Sequence, residues 1–241
     1  MNLLENRVAA VTGGTGALGR VVVKTLLEKG AETVVFYRSD AKLAELLEFV
    51  GKDFQDKVTA VEGDLNDEGG VRDFIQKTVD KHGRVDFLLN IAGAWAGGTD
   101  VANTDERTWD FMMNVNLKSM FFCCKAVLPY MIKQNYGRIV SVASRAAVER
   151  KWRVKSGAYA VSKAGVIVLT EAIAEEVKNY NINVNCVLPS VIDTPANRLD
   201  VPKADFSKWV DPKEIAEVIV FLLSEASDVV SGASVPVYGK A

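Results

Sequence analysis

Short apolar runs alternate along the chain with longer stretches whose apolar positions recur at helical spacing. Val8–Thr12, Thr33–Tyr37, Val58–Glu62 and Phe87–Asn90 read as strands. Between them, helices are expected from Val21, Val22, Leu26 and Leu27 up to Gly30, over 40–50 with Leu43, Leu46 and Leu47, and over roughly 68–81. A long helical stretch follows at 108–133, then a strand at Arg138–Val142 and an Ala-rich helix after Gly157 that carries Val166, Ile167, Leu169, Ile173 and Val177. Ile182–Leu188 reads as a sixth strand and Gly232–Tyr238 as a seventh, with a helix at 212–224 opened by Asp211-Pro212. Regular strand–helix alternation predicts an α/β chain: a doubly wound parallel sheet of about seven strands with helices on both faces and ligands at the strand C-termini. With no internal repeat, low-complexity tract or linker, residues 1–241 read as one domain, and 190–210 as a short substrate loop beyond a strand end.

Composition narrows the function classes. Hydrophobic residues make up 49% and charged residues 25% of the chain, as in ordinary globular proteins. A net charge of −2 offers no cationic field for nucleic acid. No signal peptide and no apolar stretch of roughly 18 residues is evident, so a cytoplasmic protein without membrane partners is expected. Cys123, Cys124 and Cys186 lie within apolar runs and read as buried thiols, and the lone His82 as a solvated turn residue; a metal site is not expected.

Candidate chemistry sits at the strand ends. T-G-G-T-G-A-L-G (12–19) joins the first strand to the first helix, a turn that lets backbone N–H groups approach a pyrophosphate. An Asp or Glu after the second strand would suit an unphosphorylated ribose; Tyr37 and Arg38 stand there instead, favouring NADP(H) over NAD(H). Asp64 could accept from an adenine amino group, and Trp95 is a candidate pocket wall. Asn114 and Asn116 interrupt a greasy helix, and a buried amide must have its hydrogen bonds satisfied. Tyr159 and Lys163 stand one helical turn apart on one face, where an ammonium would lower the phenol pKa and prepare it for proton transfer.

Together, Thr12 to Gly19, Asp64-Leu65, N-I-A-G (90–93), Asn116, Ser144, Y-A-V-S-K (159–163) and P-S-V-I-D-T (189–194) resemble the classical short-chain dehydrogenase/reductase family over essentially the whole chain. The resemblance implies a Rossmann-type fold with Tyr159 as general acid or base, Lys163 lowering its pKa and holding ribose hydroxyls, Ser144 positioning the substrate carbonyl, and Asn116 holding a water. It further implies a cofactor site formed by Thr12, Gly13, Thr15, Gly16, Ala17, Leu18, Gly19, Arg38, Asp64, Leu65, Asn90, Ala92, Gly93, Tyr159, Lys163, Pro189, Ile192 and Thr194. Substrate would meet Trp95, Ser144, Trp152, Tyr159, Ser190 and Phe206. Hydroxyls aimed at the carbonyl oxygen suit hydride chemistry, because charge grows on that oxygen. Four departures stand out: Ala17 replaces a glycine, Ile91 an asparagine and Ser190 a glycine, and Ser144 and Tyr159 are further apart than the family commonly has them. The extra residues fall in a charged insert, E-R-K-W-R-V-K (149–155).

For substrate, length and the expected cofactor are similar to the 3-oxoacyl-acyl-carrier-protein reductases, and a basic rim would suit an anionic acyl thioester. The stretch 197–209 and G-A-W-A-G-G (93–98) look like dihydropteridine reductases, where indoles would stack on a pterin. A dinucleotide-sensing regulator on the same fold is the non-enzyme alternative. The resemblance also implies a homotetramer, or else a homodimer, through helices at roughly 108–133 and 158–179.

Overall fold

The computed structural model describes residues 3–240. The chain runs β1 (Val8–Thr12), α1 (Ala17–Glu28), β2 (Glu32–Tyr37), α2 (Asp40–Val50), α3 (Lys52–Gln55), β3 (Val58–Glu62), α4 (Glu68–His82) and β4 (Phe87–Asn90). It continues through α5 (Glu106–Met113), α6 (Ser119–Gln134), β5 (Gly137–Val142), α7 (Gly157–Glu176), β6 (Ile182–Pro189), α8 (Pro195–Asp200), α9 (Pro212–Leu223) and β7 (Ser234–Val237). Every neighbouring strand pair is parallel, in the order β3-β2-β1-β4-β5-β6-β7. The winding therefore reverses between β1 and β4, and a crevice opens beyond their C-terminal ends.

Burial on both faces explains why the strands read as apolar runs rather than alternating ones. Val34 packs on one side of the sheet with Phe74 and Ile75 of α4, Cys123 and Val127 of α6, and Val166 of α7. Its neighbour Val35 packs on the other side with Val22 and Leu26 of α1, Leu46 of α2 and Ile219 of α9. Helix ends follow local chemistry. Asp67 accepts from the Gly69 and Gly70 N–H groups to start α4, and Asp211 with Glu214 forms a capping box for α9.

Several expectations change. The predicted single helix at 108–133 is two α-helices joined by a π-helical turn at Asn114–Lys118. Against the reading of no sufficiently long apolar stretch, Glu106–Gln134 and Gly157–Glu176 are long and apolar enough to cross a membrane; each lays one face on the sheet, which accounts for its composition. His82 is not a solvated turn residue: its ring meets Glu32 at 2.9 Å and is largely covered. The three cysteines are buried and unpaired, and burial pushes the Cys124 thiol up to about 12. Among the described residues no cluster of metal-ligating side chains occurs.

Candidate active site

A cavity of about 1080 Å³ occupies the crevice at the strand ends. At one end lies the glycine turn. Gly13 has φ +69°, and a Cβ there would stand 2.5 Å from the Ala92 backbone nitrogen, so only glycine lets β1 and β4 release their chains this close together. Gly16 caps α1 in an extended conformation with no side-chain hydrogen bond, and the first turn carries no acidic residue. The first N–H groups of α1 are thus left to whatever occupies the cavity, an arrangement fitted to a pyrophosphate. Ala17, one of the four departures, is the first helical residue, a position that tolerates a methyl.

Thr15, Leu18, Gly19, Arg38, Asp64, Leu65, Ala92 and Gly93 line the same cavity, as do Pro189, Ile192 and Thr194. Arg38 is exposed, whereas the Asp64 carboxylate accepts from the Asn66 N–H and side-chain amide, both at 2.9 Å. Two expected cofactor residues stand elsewhere. The Thr12 hydroxyl donates to Leu89 O at 3.3 Å, and the Asn90 amide donates to Ser141 Oγ at 3.1 Å; both side chains are buried and tie neighbouring strands together behind the wall. Their contribution is to hold the crevice's shape.

Ser144, Tyr159 and Lys163 share the central wall. Ser144 follows β5 and caps a short 3-10 turn, its hydroxyl accepting from the Ala146 N–H at 3.2 Å. Tyr159 and Lys163 project from the first turns of α7, with the Tyr159 phenol facing the same cavity as Ser144. Burial pushes that phenol up, opposed by the influence of the Ser144 hydroxyl. The expected lowering by Lys163 is therefore not the dominant influence here. Burial instead lowers the Lys163 amine from 10.5 to about 8, and its Nζ donates to Val142 O at 2.7 Å.

Asn116 does not line the cavity; it stands directly behind it, placed by the π-helical turn. Its Oδ1 accepts from the Ala94 N–H at 3.0 Å, while Nδ2 donates to Ala94 O and to Ser162 Oγ, both at 3.1 Å. Ser162 in turn donates to Tyr159 O at 2.8 Å. Asn116 thus couples the loop after β4 to the start of α7. Its Oδ1 and Lys163 Nζ close together over Gly93, where a Cβ would lie 2.8 Å and 3.1 Å from them.

At the other end, Trp95, Trp152 and Ser190 line the cavity. Phe206 does not: its ring lies 4.8 Å from Trp209 and beneath the Arg198 guanidinium at 4.7 Å, a stack that orders the loop from outside. The basic insert is divided in its tasks. Arg153 donates to the Ala146 and Ala147 carbonyls, at 3.2 Å and 2.6 Å, leaving Lys151 as the insert's one cation on the cavity wall. Sequence reasoning passed over Arg145. This residue is 9% exposed, ion-paired with Glu149 at 2.8 Å, and placed 4.4 Å from the Tyr238 ring and 5.3 Å from that of Trp152. Its only signal was adjacency to Ser144. The short helix α8 was also missed, although Thr194-Pro195 is a recognisable cap: the Thr194 hydroxyl accepts from the Asn197 N–H at 3.2 Å.

A family model described as short chain dehydrogenase matches residues 7–204. The 3-oxoacyl-acyl-carrier-protein reductase FabG of Thermotoga maritima is 32% identical, the match covering 98% of either chain. The (2S)-[(R)-hydroxy(phenyl)methyl]succinyl-CoA dehydrogenase subunit BbsD of Thauera aromatica is 33% identical, over 95% of this chain and 94% of its own. Among solved structures, levodione reductase superposes with a TM-score of 0.91 at 27% identity, covering 98% of this chain and 97% of its own.

Proposed function

Because the chain belongs to the short-chain dehydrogenase family, an oxidoreductase class that uses NAD(P)(H), we propose that it prefers NADP(H) and works on a ketone–alcohol pair, with a 3-oxoacyl thioester-type ketone as the favoured substrate. Support comes from one juxtaposition: the Ser144 and Tyr159 hydroxyls line the same cavity as the uncapped N-terminus of α1.

A nicotinamide dinucleotide bound here would supply the hydride in reduction and accept it in oxidation. Gly13, Gly16 and the first N–H groups of α1 would hold its pyrophosphate, Arg38 its 2′-phosphate, and Lys163 its ribose hydroxyls. Ser144 donates a hydrogen bond to the substrate oxygen. Tyr159 delivers a proton to that oxygen in reduction and removes it in oxidation. A phenol whose pKa burial has raised keeps its proton at neutral pH; a charged Lys163 alongside favours the phenolate when the proton leaves. Asn116 acts on this machinery from behind, through Ala94 and Ser162.

The thioester assignment draws on relatives whose names specify acyl-carrier-protein and coenzyme A substrates, and on Lys151 at the cavity wall. A pterin is the second reading, favoured by Trp95 and Trp152 lining the cavity; Trp209, at the end of the 197–209 stretch, is not among the lining residues. Oxidation of NADPH and of NADH against acetoacetyl-CoA, quinonoid dihydropterin and small diketones separates them. Thioester turnover with NADPH supports the first reading, and pterin turnover replaces it with the second. Exposed Phe111, Phe121, Val161 and Val168 on α5, α6 and α7 supply apolar surface for a homotetramer, or else a homodimer, which sedimentation equilibrium distinguishes.

A further inference from the structure

The substrate end of the cavity carries apolar surface that proton transfer does not use. Trp95, Val154 and Val201 line it from three separate segments, yet keep 60%, 70% and 51% of their surface exposed. Exposed apolar surface gathered at the mouth of a cleft is what a ligand with an apolar part covers.

Two of the three residues are held together as a unit. A Cβ on Gly97 would lie 2.7 Å from Cζ2 of the Trp95 indole and 2.8 Å from Lys155 O, and the Gly98 N–H donates to that same carbonyl at 2.7 Å. The indole thereby lies beside Gly97, in the loop that the Gly98 N–H ties to the segment carrying Val154. Val201 follows α8, whose Arg198 clamps Asp193 through bonds of 2.6 Å and 2.7 Å, and its N–H donates to Asn197 O at 3.0 Å. Lys151 and Asp200, which line this end too, bring opposite charges.

From this geometry we infer that the substrate's reacting carbon carries an apolar arm, an acyl chain or an aryl group, gripped at the cavity mouth by Trp95, Val154 and Val201. The inference rests on the carbonyl–alcohol reading of the same cavity and narrows its substrate class.

Straight-chain methyl ketones from butanone to decanone vary the arm alone. With NADPH, kcat/KM is expected to rise roughly three- to fourfold per methylene buried, levelling once the collar is filled. Trp95→Ala flattens that slope. Gly97→Ala, whose added methyl unseats the indole without removing it, flattens it as well, and Val201→Ser provides a third variant should either melt early. Calorimetric binding of the same ketones, without turnover, separates this inference from the reading beneath it. Affinity that climbs with arm length in a protein that reduces none of them supports the collar and overturns carbonyl reduction. Turnover or affinity that is flat with arm length overturns the collar, and so does a slope unchanged in folded Trp95→Ala.

Discussion

The two ends of the cavity are built by opposite means. The cofactor end is made of backbone and of side chains that are missing: Gly13 pressed against Ala92, Gly16 leaving α1 uncapped, small residues through 92–94. The substrate end is made of long side chains held by distant partners: Arg145 between Trp152 and Tyr238, and Arg198 between Asp193 and Phe206. A backbone cradle depends on spacing alone, which a linear chain displays. A side-chain wall depends on which segments meet, which it does not.

The largest expected effect falls between the two ends. Tyr159→Phe should lower turnover by about 10²–10⁴-fold while leaving cofactor affinity unchanged, as read by steady-state kinetics and calorimetry. A parallel loss of cofactor binding would mean that the two ends are not separable. Arg38→Asp comes next. The ratio of NADPH to NADH affinity should fall roughly tenfold or more, since a charge-assisted bond is replaced by repulsion. An unmoved ratio would make Arg38 a surface charge.

Gly13→Ala tests the backbone cradle directly. A methyl at φ +69° and 2.5 Å from Ala92 N must shift β1 or the loop after β4. Overpacking of this kind costs about 1–3 kcal/mol, visible in a urea midpoint, and cofactor affinity should fall with it. Asn116→Ala removes the three hydrogen bonds that couple the loop after β4 to the start of α7. The Ala94 backbone and Ser162 lose a partner, so a destabilisation of about 1–2 kcal/mol is expected, with kcat falling more than KM changes.

The smallest effect is a pH dependence. Lys163 titrates at about 8 in the folded protein against 10.5 as a free side chain, so the unfolded chain binds more protons across that interval. Stability should therefore rise with pH there, by about 1 kcal/mol between pH 8 and 9 relative to Lys163→Met. From about pH 8 upward the buried thiols act in the opposite direction, because Cys123, Cys124 and Cys186 keep protons that their unfolded counterparts release. Denaturation midpoints of both proteins across pH 7.5–9.5 isolate the lysine, since the cysteines are common to each. Parallel curves would show that Lys163 is hydrated and fully charged in the native state.

This contrast also explains what could be read from the chain. All seven strands were legible to within a few residues, because burial on both sheet faces leaves uninterrupted runs such as V-A-A-V-T. The glycine turn and the Tyr159–Lys163 pair were legible through spacing. The π-helical turn was not, since one irregular turn barely disturbs a helical apolar pattern, and so Asn116 could be suspected but not placed. Thr12 and Asn90 were legible as motif members, yet not as struts between strands, which takes knowledge of what lies beside them. Arg145 carried no pattern at all. Its significance comes from Tyr238, almost a hundred positions away, folding back over it.

The turn at Asn114–Lys118 behaves like a splice in a threaded rod. A π-helical turn holds a residue more than regular winding would accommodate, so shortening the segment by one residue would restore an unbroken α-helix from 106 to 134. Wound as a plain α-helix without losing that residue, the segment would instead rotate everything on its far side by about 100°. The amide of residue 116 would then leave the back of the cavity, or α5 would swing away from α7. The turn thus takes up its extra residue locally, and so keeps α5 against α7 and the Asn116 amide behind the cavity at the same time.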